Sequence, residues 1–534
     1  MTSEVVSKFI VQNPFENLKT IEQSVRLVKK HLKFVEPVTK YLDDRTEHAR
    51  NVEGEYTPRQ VKDSFHYIPI LQVIELISSN DGIRELVMSE CDAAEGFMEK
   101  YRDGENFKKH PFFSVNNSGI QLQIYYDDLE VVNALGSRTI IHKLGAFYFR
   151  ILNLPHYLNS SLGGIQLFLL SYSSDLKKYS FRRILQPFLE DLRQLENGVP
   201  MNFKGKEISI CGTLAAVCSD GLAIHDLFGL LSPACKFFCR ECGISREDLL
   251  AGNIVCEEYR NRQEYAERLQ RVKDNPDSKE VKTATGLNEE CALHESQYWH
   301  ATENHIFDPT HDFLEGTVPY EVKLVVRQHI VVEKLYDVEF LNNRIHSFAY
   351  DVTEIRNKPS ANITLENVRA AYKDHSLRQM ASQMMLLVRV LPFLLSDVVP
   401  EDDPHMKLIL LLLDIISIVF APKLHRGTLP VLEEKIREHD NLFKILFPEG
   451  NFLNKHHHIN HYRRFIEKMG PAVHHSCIRF EAKHHDLVRH GAVCCSFRNI
   501  PKTLARVCQF SQAKHWGDPE ISPWEKIHVT GGKR

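Results

Sequence analysis

Residues 218–242 read CSDGLAIHDLFGLLSPACKFFCREC. Their first three residues end an apolar, β-branched run, KEISICGTLAAVCSD (206–220), that is typical of a strand and ends at Asp220. Three cysteines then follow in a C-x3-C-x2-C cluster. Carboxylates at strand ends and closely spaced thiols are both common metal-binding groups, so this stretch predicts a chemical role if other segments bring partners to it.

The residues before this stretch predict three more strands and a helix. GIQLQIYYDD (119–128), HKLGAFYFRILNL (142–154) and GGIQLFLLSY (163–172) are apolar, aromatic and β-branched, and turn-forming residues separate them. SFRRILQPFLEDLRQLENG (180–198) has apolar residues at helical spacing and closes on a glycine. The predicted order is therefore strand, strand, strand, helix, strand.

This order is that of an RNase H-like α/β core, in which the first and fourth strands are neighbours. Asp127 or Asp128 at the end of the first strand is then expected to face Asp220 at the end of the fourth. Two neighbouring carboxylates repel each other unless a cation lies between them, and Mg²⁺ or Mn²⁺ prefers oxygen ligands. The alternative is that each aspartate forms a turn by bonding to its own backbone.

Two glutamates are candidates for a third acidic group. Glu315 lies in DPTHDFLEG (308–316), and Glu481 lies in SCIRFEAKHHDLVRH (476–490). We favour Glu481, because the helices predicted between residues 301 and 470 would then form an insertion between the second and third carboxylates.

The cysteines predict a zinc knuckle. Cys239 and Cys242 form a C-x2-C pair, and a structural zinc site needs four ligands. CALHESQYWH (291–300) offers Cys291 with either His294 or His300, and His300 is preferred. Further candidate metal ligands form a D-x2-H pair, Asp308 and His311, and the alternative is that they are a helix N-cap and a surface histidine. The HHH run at 456–458 is expected to be solvated or to face phosphate, because adjacent side chains point in different directions.

Composition limits the classes of partner. The net charge is −4, so DNA binding needs a local basic patch. Residues 453–516 supply one, with eleven Lys or Arg against three acidic residues and interleaved aromatic residues. The candidate DNA-binding residues are Arg463, Arg464, Arg479, Lys483, Arg489, Arg498, Lys502 and Arg506.

Other classes lack their sequence signals. There is no phosphate-binding or dinucleotide-binding glycine motif. The most apolar run, LILLLLDIISIVFA (408–421), is too short to span a membrane and predicts a buried helix. Because the N-terminal residues lack an apolar signal segment, a reducing intracellular compartment is expected.

These elements divide the chain into five predicted regions. A helical N-terminal region and the first part of the core are followed by a zinc knuckle with a polar excursion. A helical insertion and the C-terminal part of the core, with a basic helix, complete the chain. The boundaries are 1–112, 113–230, 231–305, 306–470 and 471–534.

As a set, several motifs resemble CACTA (En/Spm-type) transposases. They are IYYDDLEVVNALGSRTIIHKLGAFYFRILNLP, CSDGLAIHDLFG, CKFFCREC, HATENHIFDPTHDFLEG and IRFEAKHH, spread over about residues 115–516. The resemblance implies an RNase H-like DDE domain that cleaves and transfers DNA strands, with Asp127 as the first acid and Asp220 as the second.

The same resemblance implies where the protein acts and with what. It implies a nuclear protein that binds DNA, Mg²⁺ or Mn²⁺ and structural Zn²⁺, with self-association as a further possibility. The alternative function is a DNA- or protein-binding scaffold that derives from a transposase and has lost catalysis.

Overall fold

The structure is a computed structural model that describes residues 20–50, 55–90, 92–131, 143–494 and 499–516. Within them the fold is mixed α/β. The strands are β1 (Val38–Arg50), β2 (Tyr56–Tyr67), β3 (Phe97–Met98), β4 (Ile120–Glu130), β5 (Lys143–Ile151), β6 (Gln166–Tyr172), β7 (Val199–Phe203), β8 (Lys206–Ile210), β9 (Gly212–Cys218) and β10 (Leu424–His425).

Helices make up most of the remaining regular structure. Those before residue 300 are α1 (Ile21–His31), α2 (Ile70–Ser78), α3 (Asp81–Val87), α4 (Glu105–Lys109), α5 (His156–Asn159), α6 (Ser173–Asn197), α7 (Gly221–Leu227), α8 (Arg246–Leu250), α9 (Arg262–Asp274) and α10 (Lys279–Thr285). Those after it are α11 (Val318–Arg327), α12 (Val338–Ser347), α13 (Leu365–Arg369), α14 (Ala381–Leu395), α15 (Pro404–Val419), α16 (Thr428–Leu446), α17 (Asn454–Ile459), α18 (Tyr462–Met469), α19 (Ile478–Cys494) and α20 (Ile500–Trp516).

Two π-helices and several short 3-10 turns complete the secondary structure of the described residues. The π-helices span Thr310–Thr317 and Gln328–Glu333 and flank α11 on both sides. Such widened turns are rare and are frequent at functional sites. The 3-10 turns are Tyr101–Asp103, Ala292–Glu295, Ile355–Asn357 and Ala472–His475.

The main sheet has six strands in the order β1-β2-β6-β5-β4-β9, and two-stranded pairs are formed by β3 with β10 and by β7 with β8. β5 and β6 are antiparallel, whereas β4 and β9 are parallel, with Ile120 opposite Gly212 and Tyr125 opposite Cys218. The prediction that the first and fourth core strands are neighbours is therefore confirmed.

The chain forms two compact units. The first contains the described parts of 1–89, 128–211 and 482–534, and the second contains those of 90–127 and 212–481. In the first unit α6 packs on the sheet, where Phe168 stacks on Phe188 with a ring-centroid distance of 4.8 Å. Burial of such rings contributes about 1.5–3 kcal/mol each, which fixes the helix against the strands.

Helices dominate the second unit. The apolar run at 408–421 lies mostly in α15, which packs against α11, α14 and α16 and buries leucine and isoleucine on the contacting faces. The prediction of a buried helix is confirmed. Within the described residues no helix is both long enough and apolar enough to span a membrane.

The predicted strands and the helix of the core are confirmed, with changed limits. α6 consists of two helical segments separated by Ser180, whose φ of 67° and ψ of 155° are not helical, and the predicted helix corresponds to the second segment. The predicted fourth strand is divided into β8 and β9, and only β9 joins the main sheet.

The prediction of a helical region 1–112 is correct only in part, because α1 to α4 lie there together with strands. β1 and β2 form a long antiparallel pair between α1 and α2. Pro69 is the N-cap residue of α2, and proline disfavours helical conformation at the residue before it. The two compact units also differ from the five predicted regions, since residues 90–112 belong with the helical unit.

Candidate carboxylate cluster and metal centre

Two predicted acids occupy matching positions at the ends of β4 and β9. Asp127 lies two residues beyond Tyr125, and Asp220 lies two residues beyond Cys218, the strand partner of Tyr125. Asp127 accepts a hydrogen bond from the Tyr125 hydroxyl at 3.0 Å. Because carboxyl ends of parallel strands meet at one sheet edge, both acids come to the same end of the pair.

Asp220 also has a structural role. Its side chain accepts a 2.6 Å hydrogen bond from the Ala223 backbone N–H and caps the N-terminus of α7. The alternative, in which Asp220 bonds to nearby backbone, therefore holds for this contact, as a helix cap rather than as a turn. One carboxylate oxygen, Oδ1, makes the capping bond.

A third carboxylate enters from a segment beside β9. His305 forms a parallel bridge with Val217, and Asp308 follows three residues later, at the end of the sheet where Asp220 lies. Asp308 Oδ1 accepts a bond from the Cys477 backbone N–H at 2.9 Å, and its Oδ2 lies 2.5 Å from His311 Nδ1.

Glu481 reaches the same region from α19. The preceding residue, Phe480, stacks on Tyr125 with a centroid distance of 4.6 Å, which holds the first turn of this helix against β4. His311 Nε2 lies 3.5 Å from Glu481 Oε1 and 3.7 Å from Glu315 Oε2. Glu481 Oε1 is buried and makes no hydrogen bond.

The charges of this cluster influence one another. Burial, together with the charges of Asp308, Glu315 and Asp127, raises the pKa of Glu481 to about 7, although His311 opposes the rise. Burial would lower the pKa of His311, but its bond to Asp308 and the nearby carboxylates raise it to about 10. The imidazolium therefore offsets part of the negative charge.

The structure thus brings two of the predicted acids, Glu315 and Glu481, together around His311. His311 contacts Asp308, Glu315 and Glu481, and the charge of Asp127 acts on Glu481. Asp308 and His311, predicted as part of the metal site of the cysteines, lie among these carboxylates instead.

Asp128 is not part of this group. It accepts a 2.8 Å hydrogen bond from Ser173 and pairs with Lys143 at 3.0 Å. Successive side chains of a strand point to opposite faces, so Asp127 and Asp128 diverge.

A separate buried group contains the predicted cysteine pair. Cys239, Cys242, His457 and His461 place their ligand atoms within 4.8 Å of one another. Cys242 Sγ lies 3.2 Å from His457 Nε2, Cys239 Sγ lies 3.5 Å from His461 Nε2, and the two Nε2 atoms are 3.0 Å apart. A tetrahedral zinc ion with ordinary bond lengths separates sulfur and nitrogen ligands by about 3.5 Å. The group can hold such a metal.

Surrounding hydrogen bonds orient these ligands. His457 Nδ1 lies 2.6 Å from the Ile254 carbonyl, which directs Nε2 toward the thiols. The Glu241 backbone N–H donates to Cys239 Sγ at 3.4 Å. Burial would raise the pKa of the Cys239 thiol, but the bond with Cys242 and the two histidines lower it well below its ordinary value. A lowered thiol pKa favours the thiolate form that binds metals.

Cys291 and His300 do not complete this group. Cys291 Sγ donates toward the Leu227 carbonyl at 3.5 Å. His300 stacks on His294 at 4.1 Å and lies 2.8 Å from the Thr302 hydroxyl. The preference for His300 as a ligand is therefore corrected. The signal that was missed is H-x3-H at 457–461, which completes a C-x2-C…H-x3-H pattern.

The expectation for the HHH run is also wrong in part. Its three rings point in different directions, as predicted, but each finds an internal partner. His456 Nε2 lies 3.0 Å from Glu321, His457 faces Cys242, and His458 Nδ1 lies 2.9 Å from Asp312. None of the three faces solvent or is placed for phosphate.

The predicted DNA-binding residues fall into two groups. Four make contacts within the protein: Lys483 is buried and donates to the Leu162 carbonyl at 3.0 Å, and Arg463, Arg464 and Arg506 pair with Glu433 at 3.5 Å, Glu241 at 2.7 Å and Glu36 at 3.4 Å. Arg479 and Arg489 are exposed, and Lys502 is partly exposed. Arg498 lies outside the described residues.

No family model matches this chain, and no curated protein sequence matches it.

Proposed function

We propose that this chain is a transposase-like protein that cleaves and transfers DNA strands at the carboxylate cluster. The observation that carries the proposal is the convergence of acids from separate segments at one end of β4 and β9. Asp127 and Asp220 follow the ends of adjacent parallel strands. Glu481 lies on α19 next to Phe480, which stacks on Tyr125. Acids that only keep a surface hydrated would not require several separate segments to meet at the same end of two strands.

The order of elements supports an RNase H-like core for the same region. Antiparallel β5 and β6 follow β4, α6 comes next, and β9 then pairs parallel with β4. The helices between residues 301 and 470 separate Asp220 from Glu481 in the sequence, as the proposed insertion requires.

The chemical types of these residues suit divalent metal ions. Glu481 Oε1 is buried without a hydrogen bond, and its neighbours include other carboxylates, which is a favourable oxygen environment for a cation. Asp127, Asp220 and Glu481 would hold Mg²⁺ or Mn²⁺. Such ions would supply Lewis acidity, an activated water or hydroxyl nucleophile and charge stabilisation for phosphodiester cleavage.

The other groups of the cluster would position these acids. Asp308 holds the ring of His311 through Nδ1, so that Nε2 faces Glu481 and Glu315. In this arrangement His311 carries a proton at Nε2 and balances the glutamates. Arg479, exposed and two residues before Glu481, is suited to contact a DNA phosphate near the acids.

The Cys239–Cys242–His457–His461 group would hold a structural Zn²⁺. Its four protein ligands are buried and leave no open position, which is typical of structural rather than catalytic zinc. Nuclear location and self-association remain part of the proposal on the basis of the sequence resemblance.

The test is nicking of supercoiled plasmid and of duplex oligonucleotides by the full chain with Mg²⁺ or Mn²⁺. Asp220→Asn keeps a side-chain oxygen that can cap α7 but removes the charge, and Glu481→Gln removes the third acid. Both should lower the nicking rate at least about 100-fold, a magnitude expected when a group acting on the transition state is lost. Asp226→Asn, an exposed acid on α7, is the matched control.

One observation favours the non-catalytic scaffold. His311 already compensates Glu481 and Asp308 in the arrangement described, so the cluster is partly neutral without a metal. This function predicts salt-dependent DNA binding with no nicking by the wild-type chain. Equal nicking by the wild type and Asp220→Asn would contradict the carboxylate assignment instead.

A further inference from the structure

A second group of potential metal ligands lies in the helical insertion, away from the carboxylate cluster in the sequence. It consists of His329 and Glu333 from the π-helix Gln328–Glu333, and of Asp403 and His405 from the N-terminus of α15. The four ligand atoms lie within 4.8 Å of one another. The group shares no residue with the carboxylate cluster or with the Cys239–Cys242–His457–His461 group.

Local structure explains how the four residues meet. His329 and Glu333 are four residues apart, close to one turn of a π-helix, so their side chains project to the same side. Asp403 caps α15 by accepting a bond from the Met406 N–H at 2.5 Å, and His405 lies in the first turn. Lys334, with φ 57°, then reverses the chain immediately after Glu333.

The separations match those of a metal centre. His329 Nε2 lies 3.2 Å from Asp403 Oδ1, and His405 Nδ1 lies 3.6 Å from both Asp403 Oδ2 and Glu333 Oε1. Nitrogen and oxygen ligands of a tetrahedral zinc ion are about 3.3–3.6 Å apart. The two 3.6 Å separations from His405 Nδ1 are too long for a hydrogen bond from His405 to either carboxylate.

One ligand atom that faces the centre, His405 Nδ1, has no hydrogen-bond partner, whereas Glu333 Oε1 accepts a bond from Gln328 Nε2 at 2.9 Å and Asp403 Oδ1 accepts one from the Met406 N–H. His405 is 8% exposed, and its Nδ1 is buried with no hydrogen-bond partner. His329 is fully buried, and its other ring nitrogen, Nδ1, lies 3.3 Å from the Tyr336 hydroxyl, which leaves Nε2 directed at Asp403. An outer hydrogen bond of this kind is usual for a metal-binding histidine.

We propose that His329, Glu333, Asp403 and His405 form a second metal site that takes a borderline divalent ion, with Zn²⁺ as the natural occupant. Imidazole and carboxylate ligands suit zinc, and the dication balances the two carboxylates. Since all four positions are protein side chains, the ion joins the end of the π-helix to the start of α15 and has a structural role.

The experiment measures metal bound by the full chain. Protein freed of metal by chelation is titrated with Zn²⁺ and, separately, with Co²⁺, and bound metal is counted by elemental analysis. Glu333→Gln alters the most exposed of the four ligands, so the fold should survive, and the double variant His329→Asn/His405→Asn removes both imidazoles. His346→Asn, an exposed histidine on α12, is the control.

The wild type and His346→Asn should bind one more equivalent of metal than the double variant. Glu333→Gln should weaken the affinity for that equivalent at least about 10-fold. The thiolate-to-Co²⁺ absorption of the cysteine group should persist in all of them. Equal stoichiometry and affinity in the wild type and Glu333→Gln would overturn the proposal, and because the readout is metal content, DNA cleavage does not affect it.

Discussion

His457 Nε2 lies 3.2 Å from Cys242 Sγ, although 215 residues separate them in the chain. The thiols follow β9 and the histidines come from α17 and the start of α18. A metal at this point would therefore connect the end of the helical insertion to the cysteine segment that precedes the insertion in the chain. Constraints that close long loops are expected to stabilise a fold strongly, because they remove entropy from the unfolded chain.

Cys242→Ser should remove one equivalent of bound zinc and lower the melting temperature. At a free zinc concentration a thousand times the dissociation constant, binding contributes about 4 kcal/mol to stability, and this contribution should be lost. Metal analysis and thermal unfolding measure the two effects. Cys235→Ser, a cysteine outside the four-residue group, should change neither the metal content nor the response to chelation. Retention of zinc by Cys242→Ser would be contrary to the assignment.

Glu321→Gln should destabilise the helical unit by about 3–5 kcal/mol, the usual cost of breaking a buried charged pair. Glu321 is fully buried between His439 at 2.8 Å and His456 at 3.0 Å. Chemical denaturation at pH 6 measures the loss. Glu434→Gln, an exposed glutamate on α16, should have little effect.

The ionisation of Glu321 and His439 predicts how the stability of the protein depends on pH. Burial opposes ionisation, but His439 and His456 lower the pKa of Glu321 to about 2, so its contribution is complete above about pH 4.5 and is lost toward pH 2. Burial is likewise outweighed at His439, where Glu321 and Asp440 raise the pKa to about 10. That contribution is complete below about pH 6.5 and is lost toward pH 10.

The difference in unfolding free energy between wild type and Glu321→Gln should therefore be largest between about pH 4.5 and 6.5. It should shrink at both extremes. A difference that is constant from pH 3 to pH 10 would show that the pair is not ionised in the folded state.

Arg479→Ala and Arg489→Ala should each weaken binding of duplex DNA and reduce the salt dependence of the affinity by about one unit of slope. Both residues are exposed on α19, and loss of a phosphate contact acts uniformly across sequences. Fluorescence anisotropy over a series of salt concentrations measures the slope. Lys483→Met is the contrast, because this buried lysine donates to the Leu162 carbonyl and should affect stability rather than the slope. An unchanged slope in both arginine variants would exclude this helix from the DNA interface.

The strands of the core were predictable because their signals are local. The apolar and aromatic residues of 119–128 and 163–172 identify β4 and β6 without any knowledge of their partners. The neighbouring positions of Asp127 and Asp220 then followed from the order of elements. Buried strands that carry their own pattern are the part of a fold that sequence describes best.

The ligands of the metal groups were harder to predict because they depend on long-range packing. His457 and His461 lie 215 and 222 residues after Cys242 and Cys239, and their H-x3-H spacing becomes informative only when it is paired with the distant C-x2-C. The pair β1 and β2 was missed for a different reason. Its polar residues also fit an amphipathic helix, and the strand pairing that decides between the two is not visible in a single segment.

The most direct measurement is the anomalous scattering of Mn²⁺ in crystals of the full chain. We expect an anomalous peak bounded by the carboxylates of Asp127, Asp220 and Glu481, with His311 withdrawn from Glu481. This peak should be absent from crystals of Asp220→Asn grown under the same conditions. A wild-type structure in saturating Mn²⁺ with no peak at these acids, and with His311 still in contact with Glu481, would contradict metal-dependent strand cleavage at this site.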